Sequence, residues 1–365
     1  MSTPSNYTSC IQRLLTDIGY RYEPPQPKDA QYWGPFHTWM VHNLGPTLSY
    51  SPTQLDELEH CAGTLVERLY PHTQTSLKLV FAKLSAITVS MDDTIENDGM
   101  AEEIARFSHR LYMGQAQPAG TLLALYHELL KELSGMFGDE AVLRDAAVVP
   151  WISFLDACLI EKKIFTALRE QDRNGTSEGT YLDGVAEKFP QYLRSKSGVP
   201  DAYAAVAFTS NTNQPYPLEK YVRAFPDFGF YILGIEIVSQ FAMNDVTSFH
   251  KEELVDEKHT LIRLRARSLF FTGARGTGPD GKWTPFDTLV MLCDELRAAT
   301  HRVDKILRVD DCEKGIDVDV EELEIAKRWR AFRDAYVSWH IETPRYKLDS
   351  MVSWVQQLPG QGISN

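Results

Sequence analysis

Ser76-Leu-Lys-Leu-Val-Phe-Ala-Lys-Leu-Ser-Ala-Ile-Thr-Val-Ser-Met91-Asp92-Asp93-Thr94-Ile95-Glu96 is the stretch on which the fold class turns. Leu77, Leu79, Val80, Phe81, Leu84, Ile87 and Val89 place apolar side chains almost all round a helical wheel. A helix of that kind is buried among other helices rather than laid on a surface. Its last turn breaks the pattern with acids. The C-terminal end of a helix carries the negative pole of the macrodipole, so Asp92 and Glu96 are disfavoured there. Four residues apart, they also repel each other on one face. A divalent cation held by oxygen ligands offsets both costs. The alternative is a charged turn leading into the next helix, and for this cluster taken alone it is the better reading.

Helical periodicity continues on both sides. Ser51-Pro52 reads as an N-cap with proline at the first helical position, followed by Leu55, Leu58, Cys61, Leu65 and Leu69 at spacings of three and four. Further helices are predicted over 101–115, 119–137, 139–145, 150–172, 186–209, 217–254, 258–270, 284–308 and 318–348. Proline and glycine clusters mark breaks near 23–27, 174–184, 198–200, 211–217 and 273–285. No alternating strand pattern runs beyond a few residues, and no internal repeat is visible. The expectation is an all-α protein of about ten helices. Residues 1–45, rich in Pro, Tyr and Trp, form an arm packed on the bundle; 46–350 form one helical domain; 351–365 form a flexible tail.

A second polar cluster interrupts an apolar stripe. In Asn244-Asp-Val-Thr-Ser-Phe-His-Lys-Glu252, the residues Asn244, Ser248 and Glu252 recur at i, i+4 and i+8. That spacing sets an amide oxygen, a hydroxyl and a carboxylate on one helix face, a donor set suited to magnesium. The stripe runs back into Phe241 and Ile237. Such a triplet alone is also compatible with an ordinary amphipathic surface. The two clusters together, about 150 residues apart in an apolar bundle, point to helices that face each other and clamp a diphosphate through several magnesium ions. Basic residues then complete the clamp, with Arg194, Lys251 and Arg345 as candidates and the hydroxyl donor Tyr346 beside the last.

Two other motifs lead elsewhere. Gly276-Thr-Gly-Pro-Asp-Gly-Lys282 has the spacing of a phosphate-binding loop, but Trp283 follows where Ser or Thr is needed and Pro279 removes an amide donor. A flexible interhelical loop is the better reading. Glu57-Leu-Glu-His60 lacks the second copy that a di-iron bundle requires, and reads as a solvated helix face.

Composition narrows the rest. The chain has 365 residues, 43% apolar and 24% charged, which excludes a disordered or collagen-like protein. Its 37 Lys and Arg against 50 Asp and Glu give a net charge of −13, so nucleic acid is not an expected partner. The five cysteines form no C-x-x-C pair, which argues for reduced thiols. The longest apolar run, Ala146 to Ile160, contains Pro150 and Asp156 and falls short of the roughly 20 residues a membrane span needs. The N-terminal Met-Ser-Thr-Pro-Ser-Asn has no basic or hydrophobic leader region, and the expected location is the cytoplasm.

With both clusters in view, the chain resembles class I terpene synthases, most closely the fungal trichodiene-synthase-like sesquiterpene cyclases. Asp92-Asp-x-x-Glu96 is similar to their aspartate-rich motif, and Asn244-Asp-Val-x-Ser248-x-x-x-Glu252 fits the second metal motif at every defining position. Phe189-Pro-Gln-Tyr-Leu-Arg194, Tyr336-Val-Ser-Trp-His340 and Pro344-Arg-Tyr346 follow in the right order, so the likeness runs from about residue 75 to 350. The first motif ends in Glu96 rather than Asp, and residues 211–223 form a longer loop than in trichodiene synthase.

The resemblance implies a single-domain class I terpenoid synthase bundle, magnesium (three ions per site), a prenyl diphosphate substrate, farnesyl diphosphate in particular, and a homodimer. It implies that Asp92 holds two of the metal ions with Glu96 close by, and that Asn244, Ser248 and Glu252 hold the third. Arg194, Lys251, Arg345 and Tyr346 donate to the diphosphate, and Asp93 is left to Arg345 or to nothing. Helical spacing back from the motifs puts Phe81, Ser85, Thr88, Val89, Phe154, Cys158, Ile237, Phe241 and Trp339 near an apolar wall, ordinary core packing being the alternative for each. The competing functions are a chain-elongating prenyl diphosphate synthase and a non-catalytic interaction protein on the same fold.

Overall fold

The computed structural model describes residues 4–95, 97–173, 189–210, 215–233, 243–255, 257 and 260–357. Among them are helices α1 (Pro4–Asp17), α2 (Ala30–Trp39), α3 (Gly45–Leu48), α4 (Pro52–Leu69), α5 (Thr75–Thr94), α6 (Asp98–Tyr112), α7 (Leu122–Met136), α8 (Ala141–Arg173) and α9 (Phe189–Ser197). They continue with α10 (Pro200–Ala207), α11 (Phe225–Leu233), α12 (Met243–Leu254), α13 (Leu261–Phe271), α14 (Pro285–Ile306), α15 (Val309–Lys314), α16 (Val320–Glu342) and α17 (Asp349–Val355). No strand occurs among the described residues, and none of their helices is long and apolar enough to cross a membrane. The all-α expectation holds.

Local chemistry sets the helix starts. Ser51 caps α4 in a reciprocal box with Gln54, with Pro52 at the first position; Thr284 with Asp287 and Asp319 with Glu322 do the same for α14 and α16. Val199, at φ 46°, separates α9 from α10, a strained conformation for a β-branched residue and the point where the sequence calls for a break.

As its wheel predicts, α5 is the central helix. Val80, Phe81, Ala82, Leu84, Ala86, Ile87 and Met91 have no exposed surface. Phe81 meets Trp151, Tyr203 and Tyr70 edge-on at centroid distances of 5.1, 5.1 and 5.4 Å. Truncating such a ring to alanine costs about 3–5 kcal/mol. Around α5 pack α4, α7 and α2, while α16 closes on α4 and α8 lies against α10 and α9.

Several boundaries differ from the sequence reading: the helix expected over 217–254 begins only at Phe225, after 3₁₀ turns at Leu218–Lys220 and Val222–Ala224, and the one expected over 318–348 ends at Glu342 before Pro344. The predicted break at 145–150 is absent, because α8 runs through Pro150 with Trp151, Phe154, Leu155 and Cys158 buried on one face; that packing offsets the backbone hydrogen bond proline removes. The arm is itself helical and part of the core, burying Tyr7, Ile11, Leu14, Leu15, Tyr32, Trp33 and Phe36. Gly63 allows the approach of α2 to α4, since a Cβ there would stand 2.6 Å from the Trp33 ring. Residues 351–357, expected in the flexible tail, include α17, whose Met351 and Val355 are spaced i, i+4 and buried. Residues 358–365 lie outside the described residues.

Candidate active site

The acidic end of α5 and the polar stripe of α12 come to one end of the bundle. Asp92 is open to solvent on one side and surrounded by protein on the others. Burial and the neighbouring Asp93 raise its pKa, against the pull of Arg345, Arg194 and Lys251. The candidate metal ligand of the first cluster therefore shares its surroundings with three of the candidate diphosphate donors. Asp93 takes one of the two fates left open for it, meeting Arg345 Nη2 at 3.5 Å. Glu96 lies outside the described residues, as do Ile237 and Phe241.

On α12, the Ser248 hydroxyl donates to Glu252 Oε1 at 2.6 Å, the i, i+4 contact the stripe predicts. Burial pushes the Glu252 carboxyl up to about 7 despite that bond. Tyr346 donates to Asn244 Oδ1 at 3.0 Å, and His340 Nε2 stands 3.3 Å from the same atom. Lys251 Nζ sits 5.2 Å from the centre of the Tyr346 ring, a cation–π contact joining two of the expected diphosphate donors. Burial, followed by Arg345, lowers the Lys251 pKa.

Arg194 on α9 is clasped by Asp245 through two parallel bonds, Nε to Oδ2 at 3.2 Å and Nη2 to Oδ1. Burial opposes its charge, but Asp245 and then Glu161 outweigh burial and keep the guanidinium protonated. Arg345 is held charged in the same manner by Asp93.

Several members of this end were missed in the sequence. Asp245 sits inside the second motif yet points away from the donor stripe to hold Arg194. Glu161 follows Phe154 and Cys158 on one face of α8, and that spacing was its available signal. Burial pushes its carboxyl up to about 7 even with Arg194 nearby. Tyr7, far away in sequence, donates its hydroxyl to the carbonyls of Val246 and Thr247 at 3.1 and 3.2 Å and stacks on His250 at 5.3 Å. His340 is fully buried against Asn244, and burial pushes its pKa down to about 3.

The apolar candidates divide. Thr88 and Val89 on α5, and Tyr203 on α10, keep part of their surface exposed although they lie on inner helices. Phe81, Phe154, Ser85 and Cys158 are buried, with Phe81 enclosed by other rings. Trp339 donates to Cys61 O and Thr64 Oγ1 at 3.3 and 3.2 Å and lines a separate cavity of about 840 Å³ with Arg68 and Glu342. The Glu57 and His60 side chains are exposed, as a solvated face requires.

Magnesium suits the donors present. Among the described residues, no three of His, Cys, Asp and Glu gather closely enough to cage an ion by themselves. Asn244 and Ser248 supply neutral oxygens instead, with the Glu252 carboxylate on the same face of α12, a donor set of hard oxygens. Asp92 from one side and Asn244, Ser248 and Glu252 from the other would hold the ion.

Comparison with known proteins agrees in sequence and in fold. The terpene synthase BipA of Cochliobolus sativus is 27% identical over 344 residues, 93% of this chain and 89% of that one. (E)-beta farnesene synthase of Metarhizium brunneum is 24% identical over 355 residues, covering 94% and 89% of the two chains. Longiborneol synthase CLM1 of Gibberella zeae is 25% identical over 291 residues, covering 78% and 70%. Among solved structures, linalool/nerolidol synthase from Streptomyces clavuligerus superposes with a TM-score of 0.58 at 15% identity, over 88% of this chain and 98% of that one. Germacradien-4-ol synthase from Streptomyces citricolor gives 0.54 at 14% identity, over 89% and 98%. No protein-family model matches the chain. The class I terpene synthase reading is borne out; the finer trichodiene-synthase-like subtype is not established by these likenesses.

Proposed function

We propose that this chain, a class I terpene synthase in its fold and in its likeness to fungal relatives, is a sesquiterpene cyclase that ionises farnesyl diphosphate and cyclises the resulting cation. The observation that carries the reading is the gathering of Asp92 with Arg194, Lys251 and Arg345, and of Asn244 with Tyr346, at one end of an aromatic bundle. Bound magnesium would neutralise charge as it develops on the leaving diphosphate.

The chain's own groups perform the rest. Arg194, Lys251 and Arg345 donate N–H bonds, and Tyr346 an O–H bond, to diphosphate oxygens as the allylic C–O bond breaks and its electron pair leaves with the diphosphate. Asp245 and Asp93 keep the two guanidinium groups charged and oriented before substrate arrives. The isoprenoid chain then folds against Thr88, Val89 and Tyr203, which are only partly buried. Aromatic faces there, Tyr203 and Tyr336 among them, stabilise positive charge through their ring quadrupoles. Water excluded from this apolar space cannot quench the cation early.

Chain elongation is disfavoured because Asn244, Ser248 and Glu252 stand where an elongating enzyme would carry a second aspartate-rich motif. The test is incubation of purified protein with geranyl, farnesyl and geranylgeranyl diphosphates, with and without magnesium, and analysis of hydrocarbon extracts by gas chromatography–mass spectrometry. A cyclic C15 product formed from farnesyl diphosphate only with magnesium is expected. A longer linear diphosphate would identify an elongating enzyme, and no product from folded, metal-supplied protein would sink the catalytic reading.

A further inference from the structure

Two hydrogen-bonding groups converge on one end of the Asn244 amide, His340 Nε2 at 3.3 Å and the Tyr346 hydroxyl at 3.0 Å. The other nitrogen of His340, Nδ1, lies 2.7 Å from the carbonyl oxygen of Tyr336. A carbonyl only accepts, so Nδ1 carries the proton of that bond. The ring is fully buried and enclosed by Tyr336, Trp339 and Tyr346 at centroid distances of 4.5, 4.8 and 4.5 Å. A second proton would place an unpaired charge in that enclosure. A cation at the neighbouring ligand would disfavour it further. The ring is therefore neutral, and Nε2 is a bare acceptor.

A bare acceptor does not face a carbonyl oxygen. We infer that His340 is a positioning residue that turns the Asn244 amide so that its nitrogen, not its oxygen, faces His340 and Tyr346, which presents the Asn244 oxygen to the cation. Exchanging the two ends of the amide keeps every heavy-atom position, and nitrogen and oxygen are distinguished only by such networks. The exchanged arrangement also satisfies every group. The amide NH₂ has two hydrogens for two acceptors, one to His340 Nε2 and one to the Tyr346 oxygen. The Tyr346 hydroxyl hydrogen is released from Asn244 and is free for a diphosphate oxygen. One tautomer thus aims both a metal ligand and a diphosphate donor. The packing of α12 on α16 and on the turn Pro344–Tyr346 holds the three side chains in this register.

The inference rests on the proposed role of Asn244 as a metal ligand, and its test has a readout independent of turnover. Long-range proton–nitrogen correlation spectra of histidine-labelled full-length protein, with the His340 signals identified by their loss in His340→Gln, report where the ring proton sits. A protonated Nδ1 and a bare Nε2, unchanged when magnesium and inorganic pyrophosphate are added, are expected. A proton on Nε2, or on both nitrogens, overturns the inference. Calorimetric titration of magnesium with pyrophosphate supplies the second arm: His340→Leu weakens binding roughly 10–100-fold, whereas His340→Gln, which keeps an acceptor at the same reach, stays within about threefold of wild type. Equal affinity in the Leu variant also overturns it. If wild-type protein makes no magnesium-dependent cyclic product, the proposed function fails while the tautomer result still stands. If wild type cyclises while carrying its proton on Nε2, this inference alone fails.

Discussion

Asp92 and Asp287 are both aspartates at helix ends, and their surroundings are opposite. Asp287 lies in the first turn of α14, where the dipole favours it. The amides of Thr277 and Thr284 donate to its carboxylate at 3.1 and 2.8 Å, and their hydroxyls at 2.8 and 2.6 Å. Burial pushes its pKa up, but these bonds outweigh burial and hold it below the usual carboxylate range. Asp92 lies in the last turn of α5, where the dipole opposes it, and its pKa is raised. One acid is answered by amides and hydroxyls of its own chain; for the other, burial and Asp93 outweigh the pull of Arg345, Arg194 and Lys251.

The comparison also explains the phosphate-loop look-alike. Gly276 to Lys282 is a hairpin closed by Gly276 N to Gly281 O at 3.0 Å and Gly278 N to Lys282 O at 2.9 Å, not the flexible loop expected. What it wraps is the chain's own carboxylate, since a Cβ on Gly276 would stand 2.4 Å from Asp287 Oδ2. A glycine-rich anion cradle is present, and its anion is internal.

Neutralising the two acids should have opposite consequences. Asp92→Asn should lower turnover by at least about 10²–10³-fold, measured as pyrophosphate release, while its metal-free melting temperature is no lower than wild type. A melting temperature that falls with activity would make Asp92 a structural acid like the other. Asp287→Asn should leave turnover intact and cost about 1–3 kcal/mol in chemical denaturation, because charge-assisted bonds are lost with no functional role.

The pH dependence sharpens the same point. The folded pKa of Asp287 is depressed, so its contribution is full above the unfolded carboxylate value and fades as pH falls through the folded one, below about pH 4. Denaturation midpoints of wild type and Asp287→Asn should therefore converge on acidification. The smallest effect belongs to Tyr7→Phe, which removes one buried hydroxyl from two backbone carbonyls of α12. A loss of about 1 kcal/mol in the denaturation midpoint is expected.

Legibility in the sequence followed the range of the interactions. The all-round apolar wheel of α5, the caps of α4 and the stripe Asn244, Ser248, Glu252 are local patterns, and each could be read directly. The supports of the site could not. Tyr7 meets α12 across 239 residues, and His340 meets Asn244 across 96, so no periodicity links either pair. Glu161 was hidden for another reason: its spacing from Phe154 and Cys158 marks one face of α8, but its carboxyl gains significance only from the position of Arg194. The continuity of α8 through Pro150 was likewise decided by tertiary packing over local propensity.

The bond from Tyr7 to α12 also has a consequence for biosynthesis. α1 emerges from the ribosome well before the surfaces it covers, on α12 and α14, which follow it by some 240 to 280 residues, between Val246 and Cys293. At translation rates of about 5–20 residues per second, the interval is roughly 12–56 s. During it, Ile11, Leu14, Leu15 and Ile18, all buried in the finished protein, have no native partner on those helices. Closing so long a loop adds little entropy per extra residue, so the cost is one of waiting rather than of equilibrium stability. Helix α1 is thus a stretch of the nascent chain that needs shielding until α12 and α14 arrive, whereas α2, in the same arm, finds α4 and α5 soon after it is made.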